Sequence, residues 1–291
     1  MNAPVLRVIS PGLSATVQDA GRPGWKRFGV PPGGAMDDHA ATWANRLLDN
    51  PPDAPVLELL LQGARLEVLT DCWLAITGAD AGTTAPMWRA HRATAGEVIG
   101  FPRARCGVWS CVAVEGGFAA PRWLRSASAY PRGHLGLILK TGDELSQASD
   151  GSFQLPTGVA GRTIAPDERC DYEHPPALRV WPAPQWDDFA GSGRERFFAQ
   201  QWTITSQCDR VGYRLAGEAL SSRIPNILSE PTLPGTVQVP TGGQPIVTMR
   251  DGPTVGGYPK LAVVDAADLS WLAQCRPGLK VRFQLHPDAP A

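Results

Sequence analysis

Residues 234–264 read PGTVQVPTGGQPIVTMRDGPTVGGYPKLAVV. Two apolar runs, Thr236–Val239 and Lys260–Val264, are separated by Pro240, Gly243, Asp251-Gly252-Pro253 and Gly256-Gly257. Neither run is long enough to sustain a helical period, and Val suits a pleated strand because its branched Cβ packs well there. Glycine admits positive φ and proline fixes φ, so the intervening residues read as turns. Strand, tight turn, strand is therefore the unit from which this chain is built.

The same grammar extends outward. Val5–Ile9, Val56–Leu61, Arg65–Leu69, Trp73–Thr77, Val108–Val114, Trp202–Thr205 and Lys280–Leu285 are short runs rich in Val, Ile, Leu, Thr and Trp. Turn residues bound each of them. Glycine (31) and proline (28) make up about a fifth of the 291 residues, against roughly 12% in an average protein. Two helices are expected, at Met36–Leu48 and Asp268–Cys275. In the first, Ala40, Trp43, Ala44 and Leu47 repeat at helical spacing, and Asn50-Pro51-Pro52 ends it. The fold class is thus mainly β, with two β-rich domains and a few short helices. Polar, aperiodic sequence suggests domains at 1–147 and 177–286 joined by a linker at 148–176; a single large sandwich is the alternative.

Composition excludes several partners. The net charge is −1, with 27 basic and 28 acidic residues, so no basic face is expected to bind nucleic acid or an anionic membrane. The N-terminal residues lack the basic start and apolar run of a signal peptide, and no stretch reaches the roughly 18 apolar residues of a membrane helix. Six cysteines without a C-x-x-C pair fit reduced structural thiols, and the expected location is cytoplasmic. P-loop, dinucleotide, H-E-x-x-H and G-x-S-x-G motifs are absent, and the five histidines are isolated, so no metal site is expected. Without a lysine flanked by methionines, no covalently attached biotin is expected on this chain.

Three segments carry chemistry. Val17–Gly24 leads through Gly33-Gly34 into the first helix, and helix N-termini attract anions. Arg22 and the amides near Gly33–Ala35 suit a phosphate or carboxylate; Asp37 is a second candidate there, although spacing alone favours Asp37 as a helix cap. The second segment is Asp209-Arg210-Val211-Gly212-Tyr213-Arg214, where Asp209 is placed to orient Arg210 or Arg214. An ordinary ion pair on a turn is the alternative. The third is the opening stretch itself, with Gln238, Gln244, Asp251, Gly256, Gly257, Tyr258 and Lys260. Lys260 is one of four lysines beside 23 arginines, which suggests a need for a compact ammonium; a glycine hairpin with a snorkelling lysine is equally compatible.

In this order, LRVISPGLSATVQDAGRPGWKRFGVPPGGAMD, ITGADAG, CDRVGYRL and GTVQVPTGGQPIV…GGYPKLAVV resemble the allophanate hydrolase subunit 2 family, also called the biotin-dependent carboxyltransferase-like family. Its members include the C subunit of 5-oxoprolinase (the KipA-type proteins) and part of the carboxyltransferase region of urea carboxylase. The resemblance spans Leu6 to about Phe283. It implies cyclophilin-like β-barrels and an ATP-dependent amidohydrolase opening 5-oxoproline to glutamate. The partners it implies are homologues of the B and A subunits of 5-oxoprolinase, and the cofactors are ATP and a magnesium ion. It also implies catalytic roles for Lys260, Asp251 and Arg210, and binding roles for Arg22, Asp37, Gln238, Gln244, Gly256, Gly257 and Tyr258, with Asp251 or Asp37 the candidates for holding magnesium. The alternatives it carries are a carboxyltransferase component of a biotin-dependent urea or amide carboxylase, and a non-catalytic regulatory partner of a B-subunit homologue.

Two departures stand out. The family's D-x-Q-T-T-G-G-Y-P has Pro253 in place of Gln and Val255 in place of the second Thr, so two polar side chains are lost. Its Gly-Ser-Arg-Ser-Thr run is represented by Arg125-Ser126-Ala127-Ser128-Ala129, without the central arginine.

Overall fold

The computed structural model describes residues 3–148 and 161–289. The chain forms two compact units, Met1–Arg22 with Gly33–Tyr172, and Pro23–Pro32 with Glu173–Ala291. Of the segment read as a linker, residues 149–160 lie outside the described residues, and 161–172 are part of the first unit.

The first unit contains β1 (Pro4–Pro11), β2 (Ala15–Gln18), β3 (Val56–Leu60), β4 (Ala64–Val68), β5 (Cys72–Asp80), β6 (Ala90–Ala93), β7 (Val98–Phe101), β8 (Cys106–Val114) and β9 (Glu144–Ser146). They form two antiparallel sheets, ordered β7-β4-β1-β9 and β2-β3-β8-β5-β6. Leu6, Val8, Val17, Leu57, Leu66, Leu74, Ile76, Phe101, Val112 and Phe118 belong to one buried cluster. Each such side chain contributes about 1.5–3 kcal/mol by leaving water. Strands β5 and β8 read as nearly continuous apolar runs because both of their faces are covered. Helix α1 (Asp38–Leu47) lies against these two strands, and Thr77 Oγ1 donates to Ala40 O at 2.7 Å.

The second unit contains β10 (Leu178–Pro182), β11 (Trp202–Cys208), β12 (Gly212–Ala216), β13 (Glu230–Pro231), β14 (Thr236–Gln238), β15 (Ile246–Thr248), β16 (Val255–Gly256), β17 (Lys260–Val264), β18 (Lys280–Val281) and β19 (Phe283–Leu285). Eight of them form one sheet ordered β18-β11-β12-β15-β14-β17-β10-β19. Its two edges, β18 and β19, are separated only by Arg282. The run predicted at Lys280–Leu285 is thus a single path that pairs with β11 through its first half and with β10 through its second. That path brings the sheet close to a closed barrel, which leaves little free edge for unwanted pairing. β13 and β16 form a separate two-stranded ribbon.

The mainly β expectation holds. Helix α3 (Leu269–Ala273) lies inside the span read at Asp268–Cys275. Helix α2 (Gly191–Ala199) was not foreseen, because its sequence GSGRERFFA opens on Gly-Ser-Gly and has no side-chain cap. Tertiary contacts hold it instead: Phe197 is fully buried, stacks on Phe283 at 4.7 Å, and accepts at its carbonyl from Trp202 Nε1 at 3.0 Å. Among the described residues, no helix is long and apolar enough to cross a membrane.

Candidate functional site

The polar centre of the second unit forms around Lys260. Register places Gln238 on β14 opposite Lys260 on β17, with a bulge between Val237 and Gln238. The β13–β16 ribbon sets Glu230 opposite Gly256. Lys260 is 3% exposed, and its Nζ donates to Glu230 Oε2 at 3.0 Å. Gln185 spans the pair: its Nε2 lies 3.3 Å from each Glu230 oxygen, and its Oε1 accepts from the Lys260 amide at 3.2 Å. The Lys260 ammonium, through that hydrogen bond, holds the Glu230 carboxyl below its ordinary range. Gln238 is buried, and its Nε2 finds no acceptor among the described residues. A buried amide donor without a partner costs free energy until an acceptor arrives.

Gly256 explains itself at this point. The Gln238 amide occupies the space that a Cβ at residue 256 would fill. The Gly257 carbonyl accepts from the Ile227 amide at 2.9 Å, and a Cβ at residue 257 would sit 3.3 Å from the Ile227 carbonyl. Tyr258 is 41% exposed.

Asp251 and Arg210 are brought together, but as a closed fork. Arg210 Nε donates to Asp251 Oδ2 at 2.7 Å and Nη2 to Oδ1 at 3.2 Å, while the Asp251 amide donates to the Arg210 carbonyl at 2.8 Å. They join the β11–β12 turn to the turn after β15, beyond Thr248. Gln238 instead pairs with Ile246 at the other end of β15. Gln244 is engaged as well: its Oε1 accepts from the Gly217 amide and its Nε2 donates to the Gly217 carbonyl, both at 3.0 Å.

Arg22 and Asp37 belong to the first unit. Asp37 Oδ1 caps α1 by accepting from the Ala40 amide at 2.8 Å, and Oδ2 accepts from the Tyr172 hydroxyl at 2.7 Å. Burial, reinforced by the Asp37 carboxylate, pushes the Tyr172 phenol well above its ordinary value. Of the amides expected to cradle an outside anion, that of Ala35 meets a group of the chain itself, as does the next one along, Met36. Ala35 N donates to the Asp19 carbonyl at 3.0 Å, and Met36 N donates to the buried Glu58 carboxylate at 2.6 Å. Arg22 is buried, donates to the Ser128 carbonyl, and lies 5.4 Å from the Trp123 ring centre. Gly33, at φ 64°, leaves room for that guanidinium, whose Nη1 would be 2.9 Å from a Cβ.

The serine run has a clear task. The Asp19 carboxylate accepts from Ser126 Oγ, Ser128 Oγ and Ala127 N at 2.6 Å, and from Gly21 N at 2.8 Å. A two-residue turn precedes it, with Leu124 (φ 51°) and Arg125 (φ 68°) both left-handed although neither is glycine. Each such residue costs about 1–2 kcal/mol of backbone strain.

Sequence reasoning missed Glu230, Gln185 and Glu58. Each reaches its partner across 22 to 75 positions, and none stands in a local motif. No three His, Cys, Asp or Glu residues converge on a metal-sized position among the described residues. Burial pushes the Cys72 and Cys275 thiols up to about 12, and Cys111 well above its ordinary value, which disfavours the nucleophilic thiolate at these three positions.

Residues 28–285 match the carboxyltransferase domain, subdomains A and B. The chain belongs to this carboxyltransferase domain family. The 5-oxoprolinase C subunit of Haemophilus influenzae is 36% identical over 281 residues, covering 93% of this chain and 87% of that protein. The 5-oxoprolinase C subunit of Escherichia coli K12 is 35% identical over 298 residues, covering 96% and 90%. The solved urea carboxylase of Kluyveromyces lactis superposes with a TM-score of 0.84 at 26% identity, over 97% of this chain and 27% of its own. Within the carboxyltransferase family frame, the two departures have visible consequences here. Ala127 contributes only its amide to Asp19, and Val255 stands 52% exposed on the ribbon beside Gly256.

Proposed function

We propose that this chain is the C subunit of an ATP-dependent 5-oxoprolinase-like amidohydrolase, active in a hetero-oligomer with homologues of the B and A subunits. The observation that carries the reading is the similarity, at 35–36% identity over 93–96% of this chain, to the 5-oxoprolinase C subunits of two bacteria. A lactam is a poor electrophile. Phosphorylation of its oxygen by ATP gives water a displaceable group, and that consumption of ATP is assigned here to the assembly. The residues of this chain serve the amide: Lys260 and Gln238 offer an ammonium and an unpartnered N–H where negative charge develops on oxygen, and Glu230 and Gln185 hold the ammonium in place.

Magnesium fits less well. Asp37 gives one oxygen to a helix cap and the other to Tyr172, and both Asp251 oxygens are forked by Arg210, so the described residues offer no step through a metal. The Arg210–Asp251 fork is accordingly assigned to fixing the two turns it joins.

The second reading, a carboxyltransferase component of a biotin-dependent urea or amide carboxylase, is favoured by the superposition on urea carboxylase. The test is ATP hydrolysis by the chain co-purified with its candidate B-type and A-type partners, with and without 5-oxoproline. Lactam-stimulated ADP release with glutamate formed supports the first reading. A stable complex without stimulation, but with transfer from carboxybiotin to an amide, favours the second. A complex with neither activity points to a regulatory partner.

A further inference from the structure

The cross-strand register continues past Gln238. Gln238 pairs with Ile246, and Ile246 pairs with Arg214 on β12. Partners in an antiparallel ladder project to the same face. Tyr213, Leu215, Val237 and Val247 are essentially fully buried and fill the core, so Arg214 and Ile246 stand on the opposite face of the sheet. Two strand spacings separate the Arg214 and Gln238 backbones, about 10 Å.

Beside Arg214 the ladder is interrupted. Ile204 pairs with Leu215 and Cys208 with Tyr213, so Thr205, Ser206 and Gln207 together face the single residue Arg214. Such a bulge bends its strand and re-aims side chains. Here it borders a concavity of about 470 Å³ lined by Thr205, Ser206, Gln207, Arg214, Gln244 and Ile246. Within it Thr205 Oγ1 accepts from Gln207 N at 3.2 Å, and the Gln244 amide is committed to Gly217. Arg210, its neighbour in the sequence motif, is held by Asp251; the exposed Arg214 side chain has no ion pair or hydrogen bond among the described residues. A guanidinium at the wall of a concavity that also carries hydroxyl groups matches the planar or tetrahedral oxygens of an anion.

We propose that this concavity is a subsite for the oxyanion group, carboxylate or phosphate, of a small-molecule ligand, anchored by Arg214. It stands on the register and the bulge, and does not depend on which reaction the chain serves. The test is isothermal titration of the full chain with 5-oxoproline and, separately, with inorganic phosphate. One of the two anions saturates the wild type. Arg214→Gln weakens that binding by about tenfold or more, the loss of a charge-assisted hydrogen bond, and Arg214→Lys falls between them, with circular dichroism unchanged in both variants. Saturation by 5-oxoproline alone identifies a carboxylate subsite. Saturation by phosphate alone identifies a phosphate subsite, and leaves the 5-oxoprolinase reading to its own assay. Binding of neither anion to the wild type, or unchanged binding in Arg214→Gln, overturns the proposal.

Discussion

Lys260 and Glu230 form an ion pair of unequal burial: the ammonium side is 3% exposed and the carboxylate side 40%, with 3.0 Å between them. The carboxylate can swing into water, whereas the ammonium cannot. In the proposed reading, a substrate oxygen competes with a solvated partner for a charge already fixed in place. Lys260→Ala is expected to lower lactam-stimulated turnover of the assembly by about 100-fold or more, the scale of losing one preorganised donor. Its circular dichroism should match the wild type, because the orphaned Glu230 is already solvated. Turnover surviving in a folded Lys260→Ala variant refutes the proposed role.

Gly256 and Gln238 are expected to be strongly coupled. A methyl group at 256 collides with the Gln238 amide, so Gly256→Ala displaces that amide and disturbs the β13–β16 ribbon. Overpacking of this kind costs about 1–3 kcal/mol. The double variant Gly256→Ala/Gln238→Ala should recover most of that loss in urea denaturation, and additive effects of the two changes count against the packing account.

The Arg210–Asp251 fork has a different signature. Asp251 is buried, so Asp251→Ala removes the carboxylate from a largely buried guanidinium and is expected to cost about 3–5 kcal/mol. Replacing both residues, Arg210→Met with Asp251→Leu, should cost less than either single change, since no unpaired charge remains. Chemical denaturation midpoints decide the point. A single variant as stable as the wild type argues against a structural role.

His91 gives the fold an acid limit. Both of its ring nitrogens are buried without a partner among the described residues. Burial, with a smaller push from Arg89 against an opposing pull from Glu97, lowers its pKa. The unfolded chain takes up a proton near pH 6.5 that the folded chain refuses. Stability is therefore full above that value and declines as pH falls from it towards the lower folded value. Melting temperature followed from about pH 7.5 to 5, a window bracketing the free imidazole value, should drop less in His91→Phe than in the wild type. Parallel curves for the two proteins would remove His91 from the account.

Much of the fold was legible because short strands announce themselves locally. Lys260–Val264 needed only its Val and Leu content and the glycines before it, and the helix after Asp37 needed only its spacing and its cap. The site was legible in part. Lys260, Gln238 and Gly256 lie in one motif, and the fold does gather them. Glu230 and Gln185 are isolated polar residues in turn-rich stretches, and their value arises only when the ribbon and the barrel wall meet Lys260. Gln244 reads as a ligand donor from its sequence, and in the fold its amide is matched by the Gly217 backbone 27 positions away. Asp37 and Asp251 are open to structural and to chemical use in the sequence, and the partners they meet in the fold, Tyr172 and Arg210, are likewise distant in sequence.

The path from Lys280 to Leu285 has a consequence for how the chain is made. Because it supplies the neighbours of both β11 and β10, the barrel keeps two open rims until residue 285 has left the ribosome. During translation those rims are sticky surfaces that nascent-chain chaperones are suited to shield. A chain stopped at Leu279 would carry them permanently, and is expected to be lost to aggregation rather than to persist as a weakened protein.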